Sequence, residues 1–227
     1  NKTTSHLTVL AYDRRFRNDK LTISDSFLQQ VQSKLGNLAP NAPDPLQCYL
    51  TINTQVRAQN IAKLQTLSHE SASAMLFDGV FIHMPRAATR ANFADHRTLI
   101  YQNQVVGEAY HLGIDLASVR NAEIPAANSG KVVFTGDMGV YGNLCLIDHG
   151  LGLFSLYAHM NDFTVKPGDL VKKGDLIGNT DSTGLAFGDH LHFGIIVGGL
   201  EVTPIEWLDP KWVRNIVNNI NGTVPAR

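Results

Sequence analysis

The sequence predicts an α+β fold: a mainly antiparallel β domain in the second half of the chain, preceded by a small α+β segment. Three observations carry this. From residue 131 onward, short β-type runs alternate with glycine turns. Before residue 84, apolar residues recur at helical spacing. The 19 Gly and 9 Pro among 227 residues favour many turns over long helices. A hydrophobic share of 44% and a charged share of 17% are those of a globular chain long enough to bury a full core.

Residues 6–12 have partial strand character. Ser24 is an N-cap candidate, and Phe27, Leu28, Val31 and Leu35 follow at helical spacing until Gly36. Pro40, Pro43 and Pro45 then read as a loop or linker. Tyr49–Ile52 reads as a short strand. Asn53–Glu70 reads as a helix, with Val56, Ile61, Leu64 and Leu67 on one side. A boundary near Met84-Pro85 would separate an accessory segment, 1–84, from a β domain, 85–210. In that domain, strands are expected at 131–135, 143–149, 153–159, 164–171 and 190–197. Turns are expected at Gly136-Asp137, 149–152, Pro167-Gly168-Asp169 and Lys173-Gly174-Asp175. Trp207–Ile220 suits a C-terminal helix, and Asn221–Arg227 reads as a mobile tail; residues 211–227 together form the last unit.

Lys plus Arg is 19 against 20 for Asp plus Glu, a net charge of −1 that argues against a dedicated nucleic-acid binder. No run approaches the roughly 18 apolar residues of a membrane span. No apolar stretch follows Lys2–His6, which leaves open a cytosolic chain or a processed exported one. Cys48 and Cys145 form no CxxC and read as two buried thiols rather than a disulfide.

Histidine is the unusual count, at nine. His96, His111, His149, His159, His190 and His192 fall in one stretch. Three patterns stand out: His111-Leu-Gly-Ile-Asp115, Tyr157-Ala-His159 and His190-Leu-His192. Side chains two apart on a strand share a face, so His190 and His192 can converge, as can His111 and Asp115 if the chain there is extended. Imidazole and carboxylate suit zinc. Three of these five groups would suffice as ligands, leaving two for proton handling, and spacing does not say which three. The lack of a cysteine ligand favours a catalytic over a structural site. The plainer reading makes His159 and His190 ordinary histidines bonded to backbone.

Rival motifs fail. His69-Glu70 begins an HExxH pattern, but residue 73 is Ser73. There is no P-loop, GxGxxG or GxSxG. Val165–Gly178 has the turn-rich look of a biotinyl or lipoyl hairpin but contains no Met-Lys. His149 looks like a turn residue, and His96 and Arg97 read equally as cleft or surface groups. His6, His69 and His83 fall outside the constellation.

At these residues the chain resembles the lysostaphin-type (LytM-like) zinc metallopeptidases, whose signatures are HxxxD and a later HxH. The flanks agree too: Val140-Tyr-Gly-Asn-Leu, Ile147-Asp-His-Gly, Leu156-Tyr-Ala-His159, Val165-Lys-Pro-Gly-Asp and Ser182-Thr-Gly184. The likeness runs from about residue 90 to 198. It implies that His111, Asp115 and His192 are zinc (Zn2+) ligands and that His159 and His190 are the catalytic pair beside them. It implies a small antiparallel β domain with a cleft across the sheet. The implied activity is zinc-dependent endopeptidase cleavage of peptide cross-links between bacterial peptidoglycan stems, with metal-bound water as nucleophile. The implied location is outside the cytoplasmic membrane, periplasmic or envelope-associated. Some relatives have lost ligands and regulate other wall enzymes, so the alternative is a non-enzymatic wall-binding regulator with a structural zinc. This sequence keeps all five positions. It departs from the family in having Phe93-Ala-Asp-His-Arg97 where Phe-Gly is frequent, and Asp189 where Pro often precedes HxH. Residues 1–84 lie outside the likeness; they are expected to position substrate or to cover the cleft, an Asn, Gln or acidic residue then supplying a fourth ligand.

Overall fold

The structure is a computed structural model that describes residues 15–220. The strand expected at 6–12 and the tail 221–227 lie outside the described residues. After β1 (Asn18–Thr22), the helix expected behind Ser24 is present as α1 (Asp25–Leu35). The Ser24 hydroxyl accepts from Phe27 N–H at 3.2 Å, and Leu28, Val31 and Leu35 form the buried stripe.

The expected strand at Tyr49–Ile52 is a helix instead. In α2 (Pro45–Thr51), the Asp44 carboxylate caps Gln47 N–H at 2.9 Å, and Pro45 occupies the first turn, where its missing N–H costs nothing. The third proline therefore starts a helix rather than extending the loop. The chain passes through a π-helical stretch, Ile52–Val56, into α3 (Arg57–Leu67), so the helix expected from Asn53 belongs to a longer helical run.

The strands that follow are β2 (Ala88–Ala91), β3 (His96–Tyr101), β4 (Gln104–Tyr110), β5 (Ile114–Ala117), β6 (Glu123–Pro125) and β7 (Gly130–Asp137). Then come β8 (Asn143–Asp148), β9 (Leu153–Met160), β10 (Leu170–Val171), β11 (Leu176–Asn179), β12 (Leu191–Val197) and β13 (Leu200–Val202). An eight-stranded sheet runs β10-β7-β8-β9-β12-β5-β2, with β13 also on β12, and every pair is antiparallel. A second sheet, β1-β3-β4, contains the one parallel pairing described, Asn18–Thr22 against His96–Ile100. A third pairs β6 with β11. The strand expected over 164–171 shrinks to Leu170–Val171, because Lys166 N–H is taken by the Asp169 carboxylate at 3.0 Å in a turn. The C-terminal helix is α4 (Pro210–Ile220), entered through a 3₁₀ segment, Pro204–Leu208.

The central strands of the large sheet, β8, β9 and β12, are buried on both faces. Cys145, Ile147, Leu153 and Tyr157 face a cluster holding Ile114, Phe193, Trp207 and Val213. Leu144, Leu146, Phe154 and Leu156 face the cluster into which Val31, Ile52 and Leu64 pack from α1, the π stretch and α3. This is why β8 and β9 read as continuous apolar runs rather than alternating ones. Phe77, Phe81 and Met84 join the first cluster. Cys48 and Cys145 are buried and unpaired.

Candidate metal and catalytic site

Three neighbouring strands converge on one point. In the β12–β5 register His192 stands opposite Asp115, and in the β12–β9 register it stands opposite Ala158, beside His159. His190 lies just before β12, bridged to Asp181. His111 lies on the connection from β4 to β5, held by Ala94 N–H to His111 C=O at 2.7 Å and His111 N–H to Asp95 C=O at 3.0 Å. The chain between His111 and Asp115 is not extended throughout: their side chains meet across a bend at Gly113. A Cβ there would come within 2.6 Å of Phe193 O and 2.7 Å of His192 Nε2, so only glycine lets this segment cross β12.

His111 Nε2 lies 2.9 Å from Asp115 Oδ1 and 3.0 Å from His192 Nδ1; His192 Nδ1 lies 3.1 Å from Asp115 Oδ1. The result is a small triangle of donor atoms. His111 Nδ1–H donates to Asn92 C=O at 2.9 Å, which leaves Nε2 with a lone pair facing a carboxylate oxygen. Two acceptors at that distance repel unless a proton or a metal cation sits between them. Tetrahedral zinc with bonds of about 2.0–2.1 Å sets donors about 3.3 Å apart, close to the triangle found. The donor set and its tautomers thus fit a divalent metal of zinc type, and the carbonyl of Asn92 gives His111 the outer-shell partner such ligands use.

The same close contacts set the electrostatics of the carboxylate. Burial pushes the Asp115 carboxyl upward, but the hydrogen bonds and charges of His111 and His192 outweigh it and hold the group well below the usual carboxylate range. Burial pulls His192 down to about 4 and His159 well below the ordinary imidazole value, with neighbouring histidines adding to both shifts. Neutral imidazoles are the form that binds metal and accepts protons.

His159 and His190 flank the triangle, with ring centroids 4.9 Å apart; the His159 ring is 5.9 Å from that of His192. His159 Nδ1–H donates to Thr183 C=O at 2.8 Å, and His190 Nδ1–H to Gly188 C=O at 2.7 Å. Nε2 is then the accepting atom of each ring, and that of His190 is 3.6 Å from Asp115 Oδ1. His159 has φ 62°, a left-handed conformation rare for a non-glycine residue and enriched where function demands a particular aim.

All five groups line one cavity of about 240 Å³. It is also lined by Phe27, Tyr49, Asn53 and Arg57 from the helical segment, and by Arg97 from β3. Arg57, Tyr49 and Tyr141 were not singled out as site residues by the sequence; a π-helical stretch, known to gather at functional sites, is the structural signal for Arg57, and it has no sequence signature. Arg97 resolves to a cavity residue, whereas His96 does not line the cavity: it bonds Glu108 at 3.0 Å and stacks on Tyr110. His149, expected in a turn, is fully buried: Nδ1–H donates to Ser129 C=O at 2.7 Å, and Ser155 Oγ is 2.7 Å from Nε2.

The model of peptidase family M23 matches residues 109–204. The DD-carboxypeptidase/endopeptidase Mpg of Neisseria meningitidis is 38% identical over 95 residues, 42% of this chain and 22% of that protein. The murein hydrolase activator NlpD of Salmonella dublin is 34% identical over 113 residues, 49% of this chain and 30% of that protein. The chain spans less than a third of the length of either relative. A solved M23 structure from Pseudomonas aeruginosa superposes with a TM-score of 0.57 at 22% identity, over 69% of this chain and 62% of the other, which shows the shared fold. No helix among the described residues is long and apolar enough to cross a membrane.

Proposed function

From a chain whose residues 109–204 match the model of peptidase family M23, we propose a zinc-dependent endopeptidase that hydrolyses peptide cross-links of bacterial peptidoglycan, exported to the cell envelope. The observation that carries this is the convergence of His111, Asp115, His192, His159 and His190 on one cavity. His111, Asp115 and His192 would hold the metal. Zinc bound there would activate water and polarise the scissile carbonyl.

Hydrolysis breaks the amide C–N bond, gives hydroxyl to the acyl carbon and needs a proton on the leaving nitrogen. His159 and His190 each have Nδ1–H committed to a carbonyl, so each can take up a proton at Nε2. His190 Nε2 lies 3.6 Å from the Asp115 carboxylate, and the His159 ring lies beside that of His192. One of the pair would take the water proton and pass it to the leaving nitrogen, and the other would steady the developing oxyanion. The segment 1–84 would act as an accessory unit that reaches the cleft, as the cavity lining by Phe27, Tyr49 and Arg57 suggests.

The relative that bears the name of a murein hydrolase activator supports a second reading, a wall-binding regulator with a structural zinc. The purified chain of residues 1–227 separates the two. On the hydrolase reading, zinc-loaded protein releases cross-linked fragments from purified peptidoglycan. His159→Ala then keeps its zinc by elemental analysis and loses about 10²–10⁴-fold in rate. His111→Ala loses both metal and activity. Hydrolysis surviving EDTA or His111→Ala overturns the metal mechanism; wall binding and zinc without turnover establishes the regulator.

A further inference from the structure

Asp189 stands directly before His190, at the place where a Pro is frequent in the family, and hydrolysis as described gives it no task. Both its carboxylate oxygens are nevertheless engaged. Thr180 Oγ1 lies 2.6 Å from Asp189 Oδ1, and Asn121 N–H donates to Asp189 Oδ2 at 2.8 Å. Thr180 is 1% exposed, and its hydroxyl oxygen already accepts Ala122 N–H at 2.8 Å. A hydroxyl has one proton, so that proton goes to Asp189, at the length of a hydrogen bond to an ionised carboxylate. The anchors are themselves fixed: Thr180 N–H donates to Ala122 C=O at 2.9 Å, and Asn179 Nδ2 to Asn121 C=O at 2.9 Å. One carboxylate thus pins the chain before β12 both to the connection between β5 and β6 and to the end of β11.

What precedes Asp189 is loose by comparison. Gly188 is exposed, has φ 154°, a conformation that favours glycine, and has nothing within 4 Å of where a Cβ would stand. Yet its carbonyl accepts His190 Nδ1–H at 2.7 Å, the bond that leaves Nε2 as the accepting atom of that ring. The peptide unit carrying this carbonyl joins Gly188 to Asp189. Its far end is held at Asp189 by Thr180 and Asn121, and beyond it His190 N–H donates to Asp181 C=O at 3.1 Å. A proline at this place would stiffen the backbone from within by fixing φ. The aspartate stiffens it from outside, through side-chain bonds to two other segments.

We propose that Asp189 is a positioning residue: its clamp on Thr180 and Asn121 fixes the Gly188 carbonyl and, through it, the tautomer and aim of His190. Its effect on rate rests on the peptidase reading; its effect on the ring does not. Loss of the clamp frees the Gly188–Asp189 peptide to rotate. The His190 imidazole, without a fixed acceptor at Nδ1, then samples the Nε2–H form and other rotamers. In those states the ring no longer presents an unprotonated Nε2 to the cavity. His111, Asp115 and His192 meanwhile keep the partners that place them.

The test uses the zinc-loaded chain of residues 1–227 and two readouts. The first is the neutral His190 ring in long-range proton–nitrogen correlation spectra of histidine-labelled protein, its signals identified by their loss in His190→Gln. The parent should show the Nδ1–H form alone. Asp189→Ala and Thr180→Val should show a mixture of both tautomers at unchanged zinc content. The second readout is turnover of soluble cross-linked peptidoglycan fragments. In both variants kcat should fall at least about tenfold, with KM within about twofold of the parent. Thr180→Ser keeps the hydroxyl and should match the parent in both readouts. Asp189→Asn keeps the shape and should fall between, because an amide offers one acceptor to two donors; it takes the place of Asp189→Ala if that variant does not fold. A single Nδ1–H form in Asp189→Ala overturns the proposal, as does loss of zinc in that variant, a raised KM at parental kcat, or Thr180→Ser behaving as Thr180→Val does. A clamp-dependent ring in a parent that turns over no peptidoglycan refutes the peptidase reading and leaves the clamp; turnover with a ring indifferent to Asp189 does the reverse.

Discussion

At the residue level, His149 shows what a motif search passes over. Its ring is fully buried and spent on Ser129 and Ser155, with the Tyr157 hydroxyl 2.9 Å beyond Ser155 Oγ and receiving Ala127 N–H at 2.7 Å. Burial pushes its pKa down to about 4. The unfolded chain, with an imidazole near 6.5, binds a proton the folded chain refuses, so stability present above about pH 6.5 is lost as pH falls towards 4. The gap corresponds to about 3 kcal/mol over that window. Urea unfolding at pH 7 and pH 4.5 should show the parent losing about 2–3 kcal/mol more than His149→Gln. Equal losses would show that the ring does not titrate as placed. The five cavity groups, by contrast, were legible because each sits in a short covalent pattern whose spacing survives in the sequence. The burial of His149 was not, because it depends on packing and on Ser129, twenty residues away, rather than on a local pattern.

Among elements, the loop between β11 and β12 matters most. Its Thr183 and Gly188 carbonyls fix the tautomers of His159 and His190. The same loop is braced from α1: Lys34 Nζ donates to Ser182 C=O and, at 2.9 Å, to Ala186 C=O, and lies 5.5 Å from the Phe187 ring centroid. The Phe27 ring packs against Phe187 at a tilt of 53°, with ring centroids 4.7 Å apart. A helix outside the family match thus steadies the loop that aims both histidines. Lys34→Met keeps the aliphatic packing and removes the donors. With the site acting as proposed, kcat should fall about tenfold at unchanged zinc content, and amide exchange in 181–189 should quicken. A rise in kcat would instead mark α1 as a restraint. α1 itself was readable from Ser24 and the stripe behind it. α2 was not: three prolines in six residues look like a breaker, and only the Asp44 cap shows that the last one begins a helix.

For the molecule as a whole, the decisive feature is that the central strands of the large sheet, β8, β9 and β12, are covered on both faces. Shortening the chain to residues 86–227 would uncover Leu144, Leu146, Phe154, Leu156 and Ile196, each at most 1% exposed in the full chain. It would also withdraw Phe77, Phe81 and Met84 from the other cluster, and the Ser71 hydroxyl and Ala72 N–H from the Asp148 carboxylate at 2.7 and 2.8 Å. Each large apolar side chain returned to water costs about 1.5–3 kcal/mol, so a handful of them matches the whole net stability of about 5–15 kcal/mol of an ordinary domain. The region matched by the family model occupies less than half the chain, yet that region alone does not supply its own hydrophobic cover. The shortened chain should therefore bind a hydrophobic dye, lose its cooperative thermal transition and show lower activity than the full chain. A soluble fragment with a sharp transition and higher activity would reverse the argument, because segment 1–84 would then be a removable cover over the cleft rather than one of the layers that hold it together.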